Sequence, residues 1–228
     1  ESRTVERGSG DAVTVEIEMG AGDLEVSGGA AELLEADFTY NVAEFKPEVE
    51  YQDDRLVIRQ PAYQGRGALR DIDDYRYEWD LRLNDDVQTA IRVRLGAGKS
   101  DLDLGSLSLT DLEIETGAGE IALDLRGASM LGKLDVKVGA GQLTADLTGA
   151  REVDLYAEIE GGVGETTLRL PRDVGVRVEV ERGLAPINAD GWTRDGDAYV
   201  NDAEGGSGPT LRITVRAGVG AINLELGE

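Results

Sequence analysis

The chain has 228 residues, with 46 acidic and 23 basic side chains, no histidine and no cysteine, and a formal charge of −23. That balance argues against a nucleic-acid partner and against direct attraction to anionic lipid. Disulfides, thiolate chemistry and the usual neutral-pH proton shuttle are excluded, while the compartment stays open.

No stretch is long or apolar enough for a membrane span or a signal peptide. The polar opening Glu1-Ser2-Arg3-Thr4-Val5-Glu6 leads to the expectation that an upstream segment has been removed. Residues 12–26 then form a first complete repeat: alternating apolar residues run into Gly20-Ala21-Gly22 and out again. Strand-like pieces follow at Asp37–Val42, Glu48–Tyr51, Arg55–Arg59 and Tyr75–Leu83, and residues 61–67 read as a loop. Eight of the eleven aromatics lie between Phe38 and Trp79, which sets this segment apart from the rest.

Regular repeats run from about Thr89 to Asp190. Their corners are Gly96-Ala97-Gly98, Gly117-Ala118-Gly119, Gly139-Ala140-Gly141 and Gly162-Val163-Gly164, spaced 21, 22 and 23 residues apart. Before each corner one apolar row recurs, as in Ile91, Val93, Leu95 and Leu134, Val136, Val138. After it comes another, as in Leu102, Leu104 and Leu123, Leu125. Residues two apart on a strand share a face, and no single repeat can bury its own face. The period therefore predicts an all-β solenoid in which successive corners stack directly above one another.

The glycines read as corners and not as a phosphate cradle, because no helix and no Lys-Ser/Thr follows them. A fifth repeat is degenerate: Val176, Val178 and Val180 lead to Gly183, and Leu184-Ala185-Pro186 replaces the corner. An insertion near 190–209 follows, with a hairpin whose turn is placed at Asp195-Gly196, and Trp192 is expected to pack beside it. The last repeat, with Gly218-Val219-Gly220, resumes the pattern. We divide the chain into an irregular N-terminal β part (1–90) and a regular repeat part (91–228).

The outward rows carry charge. Two residues before each first glycine stand Arg94, Glu115, Lys137 and Glu160, alternating in sign, which favours one register over its slips. A second row, Asp103, Asp124, Asp146 and Arg169, sets three carboxylates in succession, which repel unless solvent, a base or a cation relieves them. A calcium ladder is not expected. The position after the tripeptide reads Asp23, Lys99, Glu120, Gln142, Glu165 and Ala221, so a carboxylate is not maintained from repeat to repeat.

The repeats, the stretch from Gly191-Trp192 to Tyr199-Val200-Asn201 and the closing Leu211-to-Leu224 segment together resemble the bacterial toast-rack domain. That domain is similar to the C-terminal region of LiaF-type cell-wall-active antibiotic response proteins and to adhesin-type proteins built from the same repeats. The resemblance spans nearly the whole chain. It implies a non-catalytic module of the cell envelope, extracytoplasmic and tethered to the membrane through a segment outside this sequence. It supplies no catalytic residues.

Three classes of function are carried forward. The first is an envelope scaffold or sensor that binds a protein partner, and the second an adhesin-like binder of glycans. The third is a polysaccharide-cleaving enzyme, for which Asp71, Asp73, Asp74, Asp85 and Asp86 would supply carboxylates. No cofactor or metal is expected. The partner surface is placed on the N-terminal aromatic segment, at Tyr63, Arg66, Arg70, Tyr75, Tyr77 and Trp79, because interfaces favour Tyr, Trp and Arg. The competing reading is that these aromatics cap the open end of the stack.

Overall fold

The computed structural model describes residues 1–62 and 76–227, and among these there is no α-helix. The strands are β1 (Ser2–Val5), β2 (Ala12–Ser27), β3 (Leu34–Tyr40), β4 (Glu48–Gln52), β5 (Arg55–Arg59), β6 (Tyr77–Leu83), β7 (Gln88–Asp103) and β8 (Leu109–Asp124). They continue as β9 (Lys133–Asp146), β10 (Leu155–Pro171), β11 (Gly175–Arg182), β12 (Ile187–Asn188), β13 (Thr193–Asp195), β14 (Ala198–Val200) and β15 (Thr210–Gly227). No helix among the described residues is long and apolar enough to cross a membrane.

The long strands are the repeats. Each runs continuously through its glycine tripeptide, so one strand carries both arms of a rung. β2, β7, β8, β9 and β10 stack in parallel with the corners in register: Gly22 faces Gly98, then Gly119, Gly141 and Gly164. The all-β solenoid expected from the period is therefore the observed architecture, an open sheet of stacked, bent strands.

Alternation decides what is buried. Leu112, Ile114, Leu134 and Val136 from the first arms, and Leu102, Leu123 and Leu143 from the second, all lie at 3% exposure or less. Leu104, Leu125 and Leu147, where the second arm turns into the return loop, are fully buried. An aspartate at 125 would sit in that core unpaired, so Leu125→Asp is expected to cost about 3–4 kcal/mol, read as a lowered melting temperature.

The stacking order departs from chain order at one place. β15 lies between β10 and β11, parallel to both, so the sheet reads β10–β15–β11. Gly164 therefore faces Gly220, and the degenerate repeat is moved outward to become the last parallel rung. The outward charge row explains the preference. Across the strands it reads Arg59, Glu18, Arg94, Glu115, Lys137, Glu160, Arg216, Glu181, alternating without a break. In chain order Glu160 would meet Glu181. With β15 between them, Arg216 bonds Glu160 at 3.3 Å and Glu181 at 3.2 Å. Each such exposed pair contributes a few tenths of a kcal/mol, which is enough to select among registers and not enough to hold the fold.

Both ends of the stack are split rungs. At the N-terminal end β5 lies on the first arm of β2 and β6 on its second arm. Gln60 Oε1 there accepts the Gly20 amide at 2.7 Å. At the other end β11 and β12 flank Gly183–Pro186 on top of β15. Antiparallel strands finish each end: β4 on β5, β3 and β1 beyond β6, and the β13–β14 hairpin beyond β11. The hairpin turn is Gly196-Asp197, one residue later than expected, because Asp195 pairs with Ala198. Trp192 packs half-buried against the core and donates its Nε1–H to the Leu224 carbonyl at 3.1 Å, as expected.

The acidic row is relieved by a base. Arg126 forms an ion pair with Asp124 and holds its carboxyl below the usual range, while Asp103 and Asp146 also act on Arg126. At the end of the row Arg169 pairs with Glu225 at 3.2 Å.

Candidate functional site

Two of the residues assigned to an N-terminal partner surface are in the core. Tyr77 and Trp79 are 3% and 1% exposed. The reason is their phase on β6: Tyr77, Trp79, Leu81 and Leu83 occupy the inward positions of one strand. Trp79 meets Phe38 edge-on at 5.4 Å and Tyr77 at 5.6 Å, and Tyr77 donates its hydroxyl to the Phe45 carbonyl at 2.7 Å. These four rings close the end of the hydrophobic core, so for Tyr77 and Trp79 the capping reading replaces the binding one. Tyr63, Arg66, Arg70 and Tyr75 lie outside the described residues.

A different surface stands out once the outward rows are read across the sheet. The row nearest the corners alternates in sign throughout. The next row, two residues earlier on each strand, begins in the same way: Arg92 lies 2.7 Å from Glu113 and 3.6 Å from Glu16. Glu16 is nearly buried, and the bond from Arg55 holds its carboxyl below the ordinary 4.5. The order then breaks. Glu113 is followed by Asp135 and Glu158, three carboxylates on consecutive strands.

Two residues earlier again, the break is complementary. Lys133, Tyr156, Arg212 and Arg177 stand side by side on β9, β10, β15 and β11. A basic row carrying one aromatic thus runs beside an acidic row on strands that alternate elsewhere.

The partners of these side chains differ. Arg177 is tied down, bonded to Asp195 of the end hairpin at 2.8 Å, with Glu179 at 3.7 Å and Glu204 at 3.9 Å. That pairing holds its guanidinium further above its ordinary value. Lys133 and Arg212 are exposed, and neither has an ion-pair partner among the described residues.

Between them Tyr156 is 54% exposed, with the Arg212 guanidinium 5.9 Å from its ring centre. In the acidic row, Asp135 Oδ1 is buried and accepts no hydrogen bond, and its nearest base, Lys137, stands 3.6 Å away. The two rows border an open depression of about 680 Å³ floored by β9, β10, β15 and β11.

Chemically this is an aromatic platform flanked by two cations that have no ion-pair partner among the described residues, one of them with its guanidinium over the ring, and with acceptors alongside. Interfaces are anchored by such Tyr and Arg side chains, and a desolvated cation on an aromatic face adds to the anchor. The sequence reading placed the site elsewhere because Tyr156 is a lone aromatic in a regular repeat. Its neighbour Arg212 reaches it only through the out-of-order position of β15. The usable signal was electrostatic: Glu160 would stand beside Glu181 in chain order, which favours a basic strand between them.

A family model described as the N-terminal domain of toast_rack, DUF2154, matches residues 1–130. A solved structure described as a "putative cell adhesion protein" from Clostridium sporogenes is 30% identical. The match covers 100% of this chain and 98% of that one, with a TM-score of 0.72. A second, described as a "putative adhesin" from Bacteroides fragilis, is 12% identical over 98% of this chain and 96% of that one. Its TM-score of 0.32 is too low to bear on fold or function. No curated protein matches the chain.

Proposed function

Because the chain belongs to the toast_rack family, we propose that it is a non-catalytic interaction module of the bacterial cell envelope, extracytoplasmic and tethered through a segment outside this sequence, whose partner-binding surface is the Tyr156 face. The carrying observation is the exposed Tyr156 between Lys133 and Arg212, two cations without an ion-pair partner among the described residues, on a sheet whose other rows are largely self-paired. The 30% identical relative is described as a "putative cell adhesion protein", which supports an adhesin-like role. The split, capped ends support a side-on partner, since neither end of the stack offers a bare parallel rung.

Of the carboxylates considered for cleavage, Asp71, Asp73 and Asp74 lie outside the described residues, and Asp85 accepts the Gly29 amide at 3.1 Å and the Ser106 hydroxyl at 2.8 Å, bonds within the chain's own loops. A scaffold or sensor role and an adhesin role use the same face and differ in the partner. The test is binding of the labelled domain to isolated bacterial cell envelopes. Replacing both Tyr156 and Arg212 by alanine is expected to reduce binding at least tenfold with an unchanged melting temperature. Binding that survives the double substitution sinks this face as the site, and release of reducing sugar ends from the envelopes sinks the non-catalytic reading.

A further inference from the structure

We propose that the Tyr156 face takes a carboxylate-bearing saccharide, a chain of uronic acid type, laid across the strands with one ring stacked on Tyr156. The inference rests on the reading above and names the ligand class for the same site.

Three features lead there. The first is the platform. Tyr156 is the only aromatic on the regular rungs, its ring is half-exposed, and its neighbours in the row are cations. An aromatic face accommodates the apolar C–H face of a sugar ring, as it does other flat apolar surfaces.

The second is spacing. Lys133 and Arg212 are two strands apart with Tyr156 between them, so their stems are separated by about 9.6 Å along the stack. That is roughly the length of a disaccharide. A ring centred on Tyr156 therefore leaves the carboxylates of its neighbours within reach of one cation on each side.

The third is the acidic row. Asp135 and Glu158 run alongside: Asp135 Oδ1 is buried and faces Lys137 at 3.6 Å, so the exposed Glu158 carboxylate is the acceptor a ligand reaches. A sugar presents hydroxyl donors to that row and carboxylates to the basic one. An oligoglutamate chain has no hydroxyls, only backbone N–H groups, to set against that row, and its side-chain carboxylates are repelled where they face it. A peptide strand cannot add here by backbone pairing either, because β9, β10, β15 and β11 already have sheet neighbours on both sides.

The ligand must also reach a protein of charge −23. Long-range repulsion slows an anionic partner and is screened by salt, whereas contacts at Lys133 and Arg212 act at short range. Affinity is therefore expected to fall only weakly with added salt, unlike that of a protein using a broad basic surface.

The experiment is calorimetric titration of the whole chain with tetragalacturonate, with its neutral counterpart cellotetraose and with a short oligoglutamate peptide. Variants are Tyr156→Ala, Arg212→Gln and Lys133→Gln, and Lys99→Gln removes the same charge from another exposed position. The expected result is binding of tetragalacturonate, at least tenfold weaker binding of cellotetraose, and at least a tenfold loss in Tyr156→Ala and Arg212→Gln. Lys99→Gln should be unchanged. Equal affinity for the neutral sugar overturns the acidic class, and so does uptake of the peptide alone. Binding of tetragalacturonate that is indifferent to Tyr156→Ala and Arg212→Gln overturns the site. If cell envelopes still bind through Tyr156 and tetragalacturonate does not, the ligand class falls and the interaction reading stands.

Discussion

A chain ended at Ser207 is expected to lose its cooperative unfolding transition. Removing a terminal strand from most domains peels away an edge, but β15 is internal. Its loss leaves β10 and β11 facing each other across an empty strand position, with two rows of unpaired amides and carbonyls. Leu211, Ile213, Val215, Ile222 and Leu224, all at 2% exposure or less, go with it. At roughly 1.5–3 kcal/mol each the loss is on the order of 10 kcal/mol, comparable to the whole stability of a domain. If β11 closes the gap it brings Glu181 beside Glu160, a further penalty of a few tenths of a kcal/mol on top of the lost core. Thermal melts followed by circular dichroism, with size-exclusion chromatography, check this. A cooperative melt close to that of the full chain would show that β15 is dispensable.

The corners give the second large effect. Gly141→Val is expected to abolish the folded state or to cost about 5 kcal/mol or more, as overpacking and backbone strain add. At Gly141 φ is +136°, and a Cβ there would lie 1.8 Å from the carbonyl oxygen of Gly119 in the rung beneath. The obstacle is backbone already committed to the ladder, so no side chain can move aside. Gly208→Ala serves as control, since nothing lies within 4 Å of a Cβ at that glycine. Soluble yield and urea unfolding midpoints distinguish the two. A Gly141→Val variant matching the control would falsify the close-approach account.

What the sequence made legible follows from what is local. Rung length, corner position and inward rows depend only on alternation and on glycine spacing, so Leu104, Leu125 and Leu147 were identifiable as core. The capping role of Tyr77 and Trp79 was also within reach, because they share a phase with Leu81 and Leu83. Composition pointed the other way, and periodicity outweighs composition when the two disagree. The place of β15 was harder. Its contacts with β10 join residues 56 apart in the chain, such as Arg216 and Glu160, and its apolar pattern would fit beside any rung. Only charge discriminates among those positions. The Tyr156 face was hidden for the same reason, since half of it is contributed by β15.

The alternating row has a consequence for how such a chain can grow. Duplicating one rung, say β8 with its Glu115, would set glutamate beside glutamate and spoil the alternation at the junction. Duplicating β8 together with β9 inserts glutamate and lysine as a couple and leaves every neighbour opposite in sign. Length is thus quantised by parity. Within this row a stack of this kind lengthens two rungs at a time without setting like charges side by side, and relatives of different length are expected to differ by even numbers of repeats wherever this row is kept.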